Sequence, residues 1–464
     1  MAEDERWHSP LKQWLESVYR DGRWLVALPV VQGAAWLADA LQEMGCPPCF
    51  VLGGAMGTGR FEPSDYADWA CLGQSEPDMM TSMRVAEDSF RRLPKPILEQ
   101  LDRFDPDRKA CVVGAFFSQG TPIAGRKYFG ARQPAWLALE DKTVIDALWD
   151  AVGVPRTPSR VVAALSGALD DAAKALDMGY GTVWAADNTD GFHGGASNTF
   201  WVRDAASREV ALESLRHSSR TARVMPFLEG IPCSIHGIVL PDYVVSLRPA
   251  EMVVLRRPSP GGFYYARAST FWDPPGSQRE AMRAMAKRVG EYLRAQVGYR
   301  GAFTIDGIMT ADGFRPTELN PRVGAAMAMT GPGIEWSLVH YAIIEGHVPP
   351  LDPCEWEHDL VAYSDANRSV RCGFLVDHVK WEESRSSWVD FSGPEATFSD
   401  EPTGAKLVAG PSATGGYISL SITGEGPVIR LGESAAPLVA KAVDLCDREL
   451  GTRIGPLTWA ANLS

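Results

Sequence analysis

The sequence predicts an α/β protein of two or three domains, assembled from short apolar strands and amphipathic helices. Near the N-terminus, apolar runs at 23–28 and 49–52 flank a helical segment at 33–44, and 111–117 is typical of another strand. In the middle of the chain, two strand-like segments joined by a tight turn carry polar side chains. Near the end, 415–422 alternates between apolar and polar residues as a half-buried strand does, and 435–450 has the pattern of a helix.

Composition agrees with a globular enzyme. The 464 residues are 45% hydrophobic and 22% charged, and we expect three blocks, at 1–135, 136–350 and 351–464, the last beginning after a linker at 351–358. A net charge of −13 argues against nucleic acid as the main partner. Short apolar stretches and a polar start predict no membrane span, no signal peptide and a cytoplasmic location. Cys46 and Cys49 form the only close cysteine pair, and we expect free buried thiols there rather than zinc ligands.

The most specific feature is the segment from Asp306 to Glu318, which continues as Leu-Asn-Pro-Arg to Arg322. A turn at 311–313 would fold it into a hairpin with Asp306 facing Glu318. Residues two apart share a strand face, so Glu318, Asn320 and Arg322 should project together. A solvated surface is the ordinary alternative for any one charged residue. Oxygen ligands of this kind suit Mg²⁺ bound together with substrate phosphates, so Asp306, Glu318 and Asn320 are predicted metal ligands, with Mn²⁺ as an alternative ion.

Two helices are predicted around this hairpin. Glu-Asp-Lys at 140–142 opens one that should span 142–152 and end at Gly153. Ser-Gln-Arg-Glu at 277–280 is a capping box, and a helix with one apolar face should follow it as far as Gly298. That face contains Met282, Met285, Val289, Leu293 and Val297.

Three arginines are candidates for contact with phosphate or a reacting carboxylate. Arg322 would act beside the metal ligands, with an ion pair to Glu318 as the structural alternative. Arg248 and Arg256 lie eight apart in a strand-like segment at 244–257 and should share a face if no bulge intervenes, although either could be solvated or paired with Glu251.

Three histidines complete the set of candidates. His236 and His340 have apolar neighbours and are expected in the core, whereas His193 lies in a glycine-rich segment and is either exposed or near a phosphate.

Four motifs, in order, resemble the ATP-grasp carboxylate-amine ligases. They are the Glu-Asp-Lys helix, a glycine-rich loop at 191–197, an Arg-Val-Met-Pro-Phe-Leu-Glu-Gly strap at 223–230, and the Glu-x-Asn strand with its earlier aspartate. The resemblance implies an ATP-grasp fold with an N-terminal α/β pre-ATP-grasp domain, a lid at about 155–225 and a small C-terminal α+β domain that either covers the active site or completes the core. The residues it implies for nucleotide binding are Lys142, Gly194, Gly195, Ser197, Met225, Phe227, Leu228 and Glu229.

Within that superfamily, the order of the blocks resembles the pheganomycin-type peptide ligases of antibiotic biosynthesis. This implies that ATP converts an amino acid, expected to be non-proteinogenic and guanidino-bearing, into an acyl phosphate. A short peptide then attacks through its amine, releasing ADP and phosphate, with Arg322, Arg248 and Arg256 as catalytic residues. A homodimer is left open. The alternatives are a ligase for another amino acid or dipeptide, a non-catalytic nucleotide-binding module, and a biotin-dependent carboxylating ligase, which the lack of a Met-Lys-Met motif disfavours.

The chain departs from the ATP-grasp pattern at one position. Members usually carry a second lysine on the strand before the glycine-rich loop, but here residues 182–188 are Thr-Val-Trp-Ala-Ala-Asp-Asn. Uncompensated phosphate charge is costly in a partly dehydrated site, so we expect the charge to be neutralised by Lys142, Mg²⁺ and either Arg248 or Arg256.

Overall fold

The computed structural model describes residues 5–58, 61–76, 78–114, 120–189, 191, 194, 196–258, 261–329, 333–376, 379–412, 414–424 and 428–461. Within these ranges the strands form three sheets.

The N-terminal block is a parallel sheet flanked by helices. Its elements are α1 (Glu5–Tyr19), β1 (Trp24–Val30), α2 (Ala35–Glu43), β2 (Phe50–Ala55), β3 (Asp68–Cys71), α3 (Met79–Phe90), α4 (Lys95–Phe104) and β4 (Cys111–Val113). The strand order is β3-β2-β1-β4. The two predicted strands and the helix between them are confirmed, whereas residues 115–119 of the third strand lie outside the described residues. Gly53 lies within β2, and a Cβ there would collide with Val31.

A second, antiparallel sheet follows. The elements are α5 (Pro134–Leu137), α6 (Ile145–Val152), β5 (Arg160–Ala163), α7 (Ser166–Leu176), β6 (Thr182–Ala186), β7 (Thr199–Val202), α8 (Ala205–Ser218) and β8 (Thr221–Pro226). They give the strand order β5-β8-β6-β7. Helix α6 begins three residues later than predicted, because the Asp141 carboxylate accepts hydrogen bonds from the Thr143 amide (2.8 Å) and hydroxyl (2.7 Å) and holds a turn there. It ends at Gly153 in the left-handed conformation, as expected.

The third sheet contains the predicted hairpin. Its first elements are β9 (Ile231–Val239), β10 (Val244–Ser246), β11 (Ala250–Arg257), β12 (Gly262–Ser269), α9 (Gly276–Val297), β13 (Gly301–Thr310) and β14 (Gly313–Asn320). The apolar face of α9 and its end at Gly298 are confirmed. The capping box is wrong: Pro275 occupies the N-cap position and its carbonyl accepts hydrogen bonds from the amides of Gln278 and Arg279, so Ser277 lies inside the helix.

The same sheet continues beyond residue 350. The remaining elements are α10 (Trp336–Ile344), α11 (Pro353–Ala366), β15 (Ser369–Val376), β16 (Arg385–Asp390), β17 (Thr397–Ser399), β18 (Ala405–Ser412), β19 (Gly415–Thr423) and α12 (Ala436–Leu450). The strand order is β14-β13-β9-β11-β12-β15-β19-β18-β16-β17, with β10 paired to β9. The linker prediction at 351–358 is wrong, because the Asp352 carboxylate caps α11 and Trp356 is buried. The strand and helix predicted at 415–422 and 435–450 are confirmed.

Aromatic residues from different blocks pack in a shared apolar core. Trp7 of α1, Trp336 of α10 and Trp356 of α11 belong to one buried apolar cluster. Cys46 and Cys49 are buried free thiols. None of the helices in the described ranges combines the length and apolar character needed to cross a membrane.

Candidate active site

A cavity of about 1000 Å³ opens between the second and third sheets and the helices α2 and α3. Its lining includes the hairpin residues Asp306, Glu318 and Asn320, together with Arg322. The N-terminal block contributes Trp36, Met80 and Met83, and the strands beyond residue 350 contribute Arg371, Gly373, Leu375 and Tyr417. Residues of all three predicted blocks therefore line this cavity, and the strands and helix beyond residue 350 also share an apolar core with β11 and β12.

The polar residues of the hairpin are brought together as the sequence predicted. Asp306 of β13 pairs in register with Glu318 of β14. The Asn320 amide nitrogen Nδ2 donates to Asp306 Oδ2 at 2.8 Å, and Arg322 Nη2 donates to Asn320 Oδ1 at 2.9 Å. Carboxylate, amide and guanidinium thus form one connected row at the cavity wall.

Lys142 and Glu140 hold this row in place. Lys142 Nζ lies 3.2 Å from Glu318 Oε2, with both side chains mostly buried. The buried Glu140 carboxylate lies 3.3 Å from Arg322 Nε and accepts a hydrogen bond from Arg132 at 2.5 Å. The structural ion pair of Arg322 is therefore made with Glu140 rather than with Glu318.

The electrostatics of the row suit a divalent cation. Burial, and then the neighbouring Glu318 carboxylate, raise the pKa of Asp306 to about 7, against the opposing effects of Arg322 and Lys142. Within the described part of the chain, no group of three histidine, cysteine or carboxylate side chains could form a closed metal site. Two carboxylates and one amide oxygen fit Mg²⁺, which completes its coordination with water and substrate phosphates.

The strap predicted to contact adenine also reaches the cavity. Met225, Pro226, Phe227 and Leu228 line it, at the end of β8 and the start of the connection to β9. A Cβ on Gly230 would collide with the Met309 carbonyl, so glycine lets the strap pass close to β13.

Glu229 points elsewhere. Its carboxylate forms two hydrogen bonds with Arg256, at 2.7 and 2.9 Å. The Arg256 guanidinium lines the cavity and lies 5.0 Å from the centre of the Phe227 ring. This arrangement makes Glu229 a residue that positions Arg256 over the strap.

The glycine-rich loop is only partly described. Gly194 and Ala196 line the cavity, and the Ser197 amide bonds to the Gly194 carbonyl at 3.1 Å. Gly195 and His193 lie outside the described residues. On the preceding strand β6, Ala185 faces the cavity in the region where the usual lysine is missing.

Arg248 is not brought to this site. The segment predicted as one strand is two strands, β10 and β11, and Arg248 lies in the connection between them. Its fully buried guanidinium bonds the Thr270 carbonyl at 2.6 Å and pairs with Asp273 and Asp365. The shared face of Arg248 and Arg256 is therefore a wrong prediction, because tertiary acceptors capture Arg248 in the core.

The two core histidines are confirmed. His236 Nδ1 lies 2.9 Å from the Thr304 hydroxyl, and His340 Nδ1 accepts the Ala302 amide at 3.0 Å. Burial lowers the pKa of each imidazole to about 3, so both are neutral. His236 additionally lines the cavity.

Sequence reasoning missed several residues of the cavity. Arg267 and Arg371 lie in apolar, aromatic strands, where a lone arginine is a usable signal. Tyr265 and Tyr417 carry no such signal, because tyrosine is common in strands. Glu335 caps α10 through a bond to the Ser337 amide at 2.9 Å and also lines the cavity, and burial raises its pKa to about 7.

Known structures share this architecture. The biotin carboxylase of Campylobacter jejuni is similar with a TM-score of 0.56 at 13% identity, covering 87% of each chain. A carboxyaminoimidazole ribonucleotide synthase from Aspergillus clavatus, complexed with ATP, gives 0.52 at 13% identity over 94% of this chain and 99% of the other. An N5-carboxyaminoimidazole ribonucleotide synthetase in its ADP complex gives 0.50 at 13% identity, covering 92% and 98%.

These similarities establish the fold. No family model and no curated protein sequence matches the chain. The protein has the ATP-grasp fold, as the motifs predicted.

Proposed function

We propose that the protein is an ATP-dependent ligase that joins the carboxylate of an amino acid to the amine of a short peptide. The observation that carries the proposal is the row Lys142, Asp306, Glu318, Asn320 and Arg322 at one wall of a cavity that also contains the strap. Similar structures contain ADP or ATP, which supports nucleotide binding between these two features.

The reaction needs little covalent chemistry from the protein. A donor carboxylate oxygen attacks the γ-phosphorus, ADP leaves, and an acyl phosphate forms. The acceptor amine then attacks the acyl carbon, phosphate leaves, and the amine loses a proton. Positioning and charge neutralisation account for most of the catalysis in such steps. Mg²⁺, held by Asp306, Glu318 and Asn320, would neutralise phosphate charge when bound.

The other residues of the row have separate tasks. Arg322 is held by Glu140 and Asn320, so its planar guanidinium is oriented towards the transferring phosphate or the acyl oxygen. Lys142 neutralises phosphate charge beside Glu318. The strap backbone holds the adenine ring, beside the Phe227 ring, which stacks on Trp201 and lies 5.0 Å from the Arg256 guanidinium.

The finer proposal is a guanidino-bearing donor, as in the pheganomycin-type ligases and their antibiotic biosynthesis. Glu335 supports it. This carboxylate lines the cavity, is strongly desolvated, and forms no ion pair with a described cationic side chain. A guanidinium from the substrate would compensate such a charge through two parallel hydrogen bonds.

The test is a product screen with the purified protein, ATP and Mg²⁺. Amino acids including arginine are offered with a pool of short peptides, and ADP and phosphate are quantified. Release of both that depends on donor and acceptor together supports ligation. ADP release that instead depends on bicarbonate would indicate a carboxylating ligase, and no turnover with any pool would indicate a binding module.

A further inference from the structure

Two arginines of the cavity have no role in the reaction above. Arg267 of β12 and Arg371 of β15 both line the cavity, and no described carboxylate forms an ion pair with either guanidinium. Arg267 pairs with Cys372, the neighbour of Arg371, so the two arginines are close together. The Arg371 side chain is exposed to solvent, and its pKa is lowered by partial desolvation and by the Arg267 charge. Adjacent like charges without a nearby anion are unfavourable, so the pair is suited to a bound anion.

A bulge in β12 aims Arg267 into the cavity. Met252 of β11 pairs with Ala268 of β12, and Val254 pairs with Tyr265. Two residues of β12, Ala266 and Arg267, therefore lie opposite the one residue Val253 of β11. Arg267 has a φ of +93°, which is unfavourable for a residue with a side chain.

The register shows why the bulge matters. Arg371 pairs with Ala268, the neighbour of Arg267, and neighbours on a regular strand project to opposite faces. Bulges redirect a side chain in this way beside functional sites. The strained backbone therefore places a second guanidinium on the side of the sheet that Arg371 already occupies.

The pair lies away from the phosphate end of the cavity. Strands β9 and β11 separate β13 from β12, so three spacings of about 4.8 Å put the backbone of β12 about 14 Å from that of Asp306. Tyr265, two residues before Arg267 on β12, lines the cavity as well. This backbone separation equals about four extended residues at 3.3–3.6 Å per residue, and the side chains that line the cavity from both strands shorten the gap to that of a di- or tripeptide.

We infer that Arg267 and Arg371 bind the C-terminal carboxylate of the acceptor peptide and so direct its amine towards Asp306 and Arg322. The inference rests on the proposed function. Two guanidiniums recognise a carboxylate by charge-assisted hydrogen bonds, and Tyr417, whose ring packs over Gly373 beside them, supplies the adjoining wall. The enzyme would then select acceptors by their free carboxylate and by their length.

The experiment compares a pool of di- and tripeptides with the same pool amidated at the C-terminus, measuring ADP release at saturating donor. Wild-type kcat/KM should be at least about tenfold higher for the acids. Arg371→Gln should remove most of this preference, and so should Arg267→Asn, in which asparagine tolerates the positive φ and keeps the bulge. Neither should change donor KM. The control is Arg385→Gln, an exposed arginine of β16 away from the cavity.

The outcomes separate the two proposals. If the wild type forms ADP and a hydroxamate but uses peptide acids and peptide amides equally well, the carboxylate site is overturned and the proposed function stands. A loss of affinity for an ATP analogue in the Arg371 variant would place the pair on phosphates and also overturn it. No ADP with any donor and acceptor would refute the proposed function, and this inference with it.

Discussion

Replacing Lys142 by alanine tests the charge balance of the nucleotide site. The Lys142 ammonium lies 3.2 Å from Glu318, and only 13% of its side chain is exposed. Unit charges about 4 Å apart interact by about 4 kcal/mol at an effective dielectric constant of about 20. Solvent and Mg²⁺ screen part of this attraction for the triphosphate. If about a third remains, ATP affinity falls about tenfold, or about 1.4 kcal/mol.

Calorimetric titration of a non-hydrolysable ATP analogue with Mg²⁺ measures the effect. Lys174→Ala is the matched control, because Lys174 is an exposed lysine on α7. Lys142→Arg keeps the charge and should retain most of the affinity, which distinguishes charge from shape. Equal affinities of the Lys142→Ala and Lys174→Ala variants would refute the reasoning and leave Lys142 only a structural partner of Glu318.

Three further predictions concern the metal ligands and two buried carboxylates. Glu318→Gln and Asn320→Ala should each lower ADP release at saturating Mg²⁺ by about a hundredfold or more with little change in melting temperature; near wild-type turnover would remove the metal assignment. Glu335→Gln should raise KM for arginine but not for uncharged citrulline. In the wild type, KM for arginine should fall as pH rises through about 7, where Glu335 becomes charged. A ratio of the arginine KM to the citrulline KM that does not change with pH would argue against this contact. Burial raises the pKa of Glu251 to about 7 from 4.5. As pH rises, Glu251 therefore ionises in the unfolded state before it does in the folded state, and the free energy of unfolding should fall by up to about 3 kcal/mol between about pH 5 and 7. Glu251→Gln should reduce this fall, and an unchanged pH profile of stability in that variant would contradict the assignment.

Local pattern was sufficient to predict the hairpin. Its strands alternate, its turn has glycine at the required position, and pairing within a hairpin follows from the turn. Asp306, Glu318 and Asn320 therefore meet as the sequence predicted. The apolar face of α9 was equally predictable, because it depends only on helical periodicity.

The sequence predictions failed where residues far away in the chain determine the position of a side chain. Arg248 is held by Thr270, Asp273 and Asp365, none of which is close to it in the chain. Arg267 enters the cavity through a bulge that exists only in the pairing of β12 with β11. Neither the acceptor atoms nor the bulge leaves a periodic signal in the sequence.

Trapping the activated donor shows directly whether the enzyme forms an acyl phosphate. Hydroxylamine replaces the peptide in a reaction with ATP, Mg²⁺ and the donor identified by the product screen. We expect a hydroxamate of the donor in equal amount to ADP and phosphate, and about a hundredfold less of all three with Glu318→Gln. Formation of AMP and pyrophosphate would show an acyl adenylate and contradict the acyl-phosphate mechanism.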